Sequence, residues 1–202
     1  MTIIYPFLLT SRPKDNRDVA DYRPRTRVYY REESEPLDFN TFEDNFISMK
    51  ASIHKQLVDF GKQGVPHEIS RLYKPINGAD SRLVNKALMK YLIDFPDASV
   101  HKIESKIESA THKQENLVTK HWHLDIDKVT ATELNEIMTA IYDTSNLTPS
   151  QVKVSESLTP NSYNIVTEHG FDTRELERKW PTKFTNMRTN SGGIFIESFT
   201  NN

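Results

Sequence analysis

The residues best suited to chemistry lie in one short run, His121-Trp122-His123-Leu124-Asp125-Ile126-Asp127. The alternation is strict. In an extended strand it sends His121, His123, Asp125 and Asp127 to one face and Trp122, Leu124 and Ile126 to the other. The apolar face can pack on helices while the other keeps ligand-type atoms together. Two carboxylates one residue apart are placed to share a hard divalent cation, Mg²⁺ or Mn²⁺, with His123 beside them as a further donor. A half-exposed strand leading into a helix whose first turn favours acids would give the same pattern, and there the histidines and aspartates simply pair.

Two further groups could meet phosphates. The segment Ser155–Asn164 reads as a hairpin whose tip, Thr159-Pro160-Asn161-Ser162, offers hydroxyls, an amide and backbone N–H groups. Its residues Asn161, Ser162 and Asn164 are candidate substrate contacts; an ordinary turn is the plainer reading. Period two in Arg25-Thr26-Arg27-Val28-Tyr29-Tyr30-Arg31 places Arg25, Arg27, Tyr29 and Arg31 on one face, with Arg71, Lys74 and Arg82 available from neighbouring segments. Guanidinium groups make bidentate phosphate contacts, although a row of charges also makes a solvated face.

The elements that must position these groups follow from the pattern. Ile3–Leu9 is an apolar run of about seven residues without a basic region before it, read as a core strand rather than a span or signal peptide. Residues 11–25 form a polar, proline-bearing loop, and 26–31 a strand. From Asn40 as N-cap, Phe42, Phe46, Met49, Ile53, Leu57 and Phe60 follow steps of three and four, an amphipathic helix stopped by Gly61. A strand is expected at 68–74 and a helix near 80–93 with Leu83, Leu88, Tyr91 and Leu92 inward. A surface helix follows at 98–114. After the acidic strand come a helix at 131–143 (Leu134, Ile137, Met138, Ile141), the hairpin 152–158 and 163–167, a short helix at 172–179, and strands near 183–188 and 193–199 joined by Thr189–Gly192. This is α/β or α+β, a single domain over 1–202 with a mixed, mostly antiparallel sheet and packed helices. Residues 1–24 form the first strand and loop, 25–118 an N-terminal half, and 119–199 the half with the acidic strand and hairpin.

Composition narrows the class. The chain has 202 residues, 36% hydrophobic and 27% charged, enough for a real core. The net charge of −2 supplies no overall attraction to polyanions. With no cysteine, Cys-ligated zinc and Cys nucleophiles are excluded, and a reducing cytoplasm is the expected compartment.

The order of these features resembles small phage-encoded proteins of the primase-polymerase (archaeo-eukaryotic primase) superfamily. The resemblance rests on Asp125-Ile126-Asp127, the following helix, the hairpin Thr159-Pro160-Asn161-Ser162-Tyr163-Asn164-Ile165-Val166-Thr167, Phe171-Asp172, and the closing Gly193-Ile194-Phe195-Ile196-Glu197. The stretches Arg27–Glu32 and Arg71-Leu72-Tyr73 add to it. It implies Asp125 and Asp127 as ligands of Mg²⁺ or Mn²⁺, a late acid such as Glu197 completing the catalytic set, and nucleotidyl transfer between two cations. Where the family pattern has glycine and histidine, this chain has Ser162 and Asn164. Asparagine donates hydrogen bonds but not an imidazolium charge, and Asn161 is left to supply the left-handed turn. That departure keeps a second expectation open: a non-catalytic protein on the same scaffold that binds nucleic acid, a nucleotide, or a host or phage protein through the arginines and the hairpin tip. A metal-dependent nuclease lacks its acidic partner two positions before Lys153, and a virion structural role also suits a polar chain of this kind.

Overall fold

A computed structural model describes residues 1–41, 54–183 and 193–201. It divides the chain into two compact units, Met1–Val118 with Gly193–Asn202, and Thr119–Gly192.

The first unit is built on an antiparallel sheet in the order β2-β1-β3-β8, with β1 at Ile3–Ser11, β2 at Arg25–Glu33, β3 at Ile69–Pro75 and β8 at Gly193–Thr200. A two-residue strand β4 (Ala79–Asp80) pairs with the start of β1. The apolar run at the N-terminus becomes β1 because both of its faces are covered: Ile3, Tyr5, Phe7 and Leu9 are buried on one, and Ile4 on the other. Residues 54–62 are helical (α1) and bury Leu57 and Phe60. The expected stop at Gly61 is one residue early, because the helix continues through residue 62. The N-terminal part of that expected helix, with Phe42, Phe46, Met49 and Ile53, lies outside the described residues.

Helices α2 (Ser81–Asp94) and α3 (Val100–Thr111) also belong to this unit, where Val84 and Ala110 join Ile4 and Ala79 in a small core. Asp80 caps α2, its carboxylate accepting from the Arg82 N–H at 2.9 Å. The buried face of α2 runs through Val84, with Ala87, Leu88 and Tyr91 half-buried. Leu83, expected inward, is 39% exposed; it stands a residue out of phase with the 84/87/88/91 stripe, and a 100° rotation carries it to the outer face.

The second unit holds a three-stranded antiparallel sheet, order β5-β7-β6, from β5 (Trp122–Ile126), β6 (Val152–Glu156) and β7 (Tyr163–Thr167). Helices α4 (Ala131–Ser145) and α5 (Arg174–Lys179) complete it. Leu124, Ile126, Val152 and Ile165 pack with Ile137, Ile141, Leu176 and Trp180, so the apolar face of the acidic strand does meet helices. Thr130 and Glu133 form a capping box that starts α4 where the acidic loop ends. Trp122 lies so close to Gly170 that a Cβ there would approach the indole at 2.1 Å; glycine is needed at that spot.

The fold is therefore mixed α and β with antiparallel sheets. The expected single sheet is corrected to two: the closing strand β8 pairs with β3 rather than extending the β5-β7-β6 sheet. The expected strand near 183–188 and the turn Thr189–Gly192 fall outside the described residues, apart from residue 183 in a turn. Among the described residues no helix is long and apolar enough to cross a membrane.

Candidate functional site in the second unit

Register brings the acidic strand and the hairpin together. Across β5 and β7, Trp122 faces Thr167, Leu124 faces Ile165, and Ile126 faces Tyr163; the intervening pairs are His123 with Val166 and Asp125 with Asn164. Directly opposed residues share a face, so Asp125, His123 and Asn164 stand on one side of the sheet, away from the core on α4 and α5. His123 and Asn164 are buried, while Asp125 and Asp127 are half-buried. His121, just before the strand, is also buried.

His123 Nε2 lies 2.8 Å from Asn164 Oδ1. With the amide oxygen as acceptor, Nε2 carries the proton and that nitrogen is committed to the hairpin. His123 was expected to join the metal set; its Nε2 links the two motifs through Asn164.

The hairpin tip is braced against the loop that follows the acidic strand. Asn161 adopts the left-handed conformation at φ 59°, as the missing glycine requires. Its carbonyl accepts from Val129 N–H at 2.8 Å, and buried Ser162 Oγ accepts from Lys128 N–H at 3.4 Å. Ser157 N–H donates to Ser162 O at 2.8 Å and closes the turn. Lys128, next to Asp127, is itself left-handed at φ 56°, and the Lys183 ammonium donates to its carbonyl. Lys183 also stands 3.6 Å from Glu133. Neither Lys183 nor this bracing was evident from sequence, because the contact joins residues 55 apart.

Mg²⁺ and Mn²⁺ sites commonly use one or two protein carboxylates and fill the remaining positions with water and phosphate oxygens. Asp125, in β5, and Asp127, in the loop after it, were the expected pair. Among the described residues no group of three or more His, Asp or Glu side chains stands ready to hold an ion unaided. Glu197, expected to complete the set, lies in β8 of the first unit opposite Leu72.

The candidate arginines also belong to the first unit, and each is engaged with an acid. Arg25 Nε donates to Glu68 Oε1 at 2.8 Å and Nη1 to the Phe60 carbonyl at 2.5 Å, with the guanidinium over the Phe60 ring at 3.7 Å. Arg31 donates to Glu33 at 2.8 Å, Arg71 to Asp15, and Arg27 stands 3.6 Å from Glu104. Burial alone would raise the Glu68 carboxyl, but hydrogen bonds from Arg25, Ser11 and the Val65 N–H hold it below the ordinary range. The expected face is real, since Arg25, Arg27, Tyr29 and Arg31 lie opposite Ser11, Leu9, Phe7 and Tyr5. Ion pairs within the unit account for its charges. Comparison with family models, with curated proteins and with solved structures finds no match for this chain.

Proposed function

We propose that this chain is a metal-dependent protein acting on nucleotides or nucleic acid, with its metal-binding centre at Asp125 and Asp127 and a primase-polymerase-like plan. The observation that carries the reading is the Asp125–Asn164 register with the His123–Asn164 hydrogen bond. It puts the acidic strand and the hairpin, two segments whose residue types suit cation and phosphate, on one face, with the core on the other. A bound Mg²⁺ or Mn²⁺ would supply charge stabilisation at a transferring phosphoryl group. Asp125 and Asp127 would hold it, half-buried so that part of the coordination shell stays open to substrate oxygens. Asn164 and His123 fix each other, and Ser162, Asn161 and Lys183 fix the loop that carries Asp127. Nucleotidyl transfer is the activity this arrangement suits, and a cytoplasm with its nucleotide pool is the compartment it implies.

A primer-extension assay with Mn²⁺ and all four nucleoside triphosphates tests the reading. Incorporation that disappears in Asp125→Asn, with the fold intact by circular dichroism, supports transfer chemistry. A second reading, a non-catalytic nucleotide- or nucleic-acid-binding protein, is favoured by Asn164 itself, which is uncharged and has its Oδ1 committed to His123. Metal-dependent binding of nucleotide without incorporation selects it.

A further inference from the structure

We infer that a cleft in the first unit, between α1 and one face of its sheet, binds a small planar aromatic anion. It rests on the first unit alone and is independent of the metal centre proposed above. The cleft measures about 330 Å³, at the small end of the range for ligand pockets, roughly 300–1,000 Å³.

Its origin is a row of small side chains. Across the sheet, Arg25 faces Ser11, Ser11 faces Ser70, and Ser70 faces Phe199. One row along, the same face carries Arg27, Leu9, Leu72 and Glu197. Two serines thus occupy central positions where the neighbouring row has two leucines, and both are buried. Leu57 and Phe60 of α1 wall the space above, and the Phe199 ring closes the row beside Ser70. Of the two serines, Ser70 lines the cleft, while the Ser11 hydroxyl donates to the Tyr22 hydroxyl at 3.3 Å. A core of this kind is normally filled to crystal-like density, so an open, largely apolar space with the Ser70 hydroxyl at its floor is shaped for an occupant.

Chemistry narrows that occupant. Aromatic and aliphatic walls favour a flat apolar body, and the Ser70 hydroxyl offers a hydrogen bond at its edge. Glu68 also lines the cleft, but Arg25 matches its charge, so the interior does not repel an anion. The exposed titratable groups at the opening are His54 and Lys62. Lys62 has a solvent-exposed contact with Asp59 at 3.4 Å, which a ligand anion displaces at little cost. A nucleoside monophosphate and an arene carboxylate share this chemistry.

The test uses the full chain, calorimetry and amide NMR, with adenosine monophosphate, indole-3-acetate and neutral adenosine as probes. The expected result is binding of at least one anion, with shifts confined to the cleft-lining segments (residues 9–11, 25, 54–70 and 199–201) and weaker binding of adenosine. Ser70→Leu, which fills the cleft, should abolish binding. Lys62→Ala, a surface change, should weaken the anion by roughly two- to fivefold and leave adenosine unchanged. Binding of the nucleotide alone or of the carboxylate alone identifies the source. No binding of any probe at millimolar concentration overturns the inference. So does binding that Lys62→Ala leaves intact with shifts elsewhere, an outcome readable even if Ser70→Leu fails to fold.

Discussion

The Arg25–Glu68 pair decides whether the arginine face is scaffold or binding surface. Glu68 is 2% exposed and the Arg25 side chain 20%. The carboxylate accepts from Arg25 Nε at 2.8 Å and from Val65 N–H at 3.1 Å. Breaking a buried ion pair from one side costs about 3–5 kcal/mol, because the surviving charge stays uncompensated. Arg25 retains some water contact, so Glu68→Ala should cost about 3 kcal/mol, and Glu68→Gln, which keeps acceptors, about 2 kcal/mol. Arg25→Met should cost about 3 kcal/mol and the double variant with Gln also about 3, a coupling of about 2 kcal/mol. The pH dependence has a definite sign. The folded carboxyl lies below its ordinary value of 4.5, so its stabilisation is complete above that pH and is lost as pH falls through the folded value. Glu68→Gln should flatten that acid limb. Urea unfolding followed by far-UV circular dichroism reports it. A Glu68→Ala variant within about 0.5 kcal/mol of the parent would show that the pair does not hold the fold and would leave Arg25 free for ligand contact.

Further expectations concern the second unit. Gly170→Ala drives a Cβ into the Trp122 indole and should destabilise by about 1–3 kcal/mol with a shifted Trp emission maximum; an unchanged spectrum and stability would contradict the packing. Asn164→Ala removes the acceptor from buried His123 Nε2–H and should cost about 1–3 kcal/mol by urea unfolding. Asn161→Gly should be neutral or stabilising, whereas Asn161→Val should cost about 1–2 kcal/mol, since a β-branched residue resists the left-handed conformation; equal midpoints for the two would contradict the turn.

Much of the fold was legible where a pattern is local. The run from Ile3 gave β1, the stripe Leu134/Ile137/Met138/Ile141 gave α4, and strict alternation from His121 gave β5 with its apolar side on helices. The left-handed role of Asn161 followed from a missing glycine. What was not legible depends on partners distant in the chain. Nothing local tells β8 to pair with β3, and that pairing decides that Glu197 belongs to the first unit. The arginines advertised a charged face, but Glu68 and Asp15, 43 and 56 residues from their partners, decided what the charges do. Leu83 was misplaced because two adjacent apolar residues, Leu83 and Val84, leave a helix's phase undetermined until packing chooses. Ser11 read as the start of a loop, and only the pairing of β1 with β3 sets it beside Ser70 in the sheet.

Mn²⁺ binding by calorimetry, on the parent chain and on Asp125→Ala/Asp127→Ala, with and without a nucleoside triphosphate, interrogates the proposed metal centre itself. Binding that tightens with nucleotide and vanishes in the double variant, whose fold is retained, is the expected result. No Mn²⁺ binding by the parent, or equal binding by the folded double variant, would contradict it.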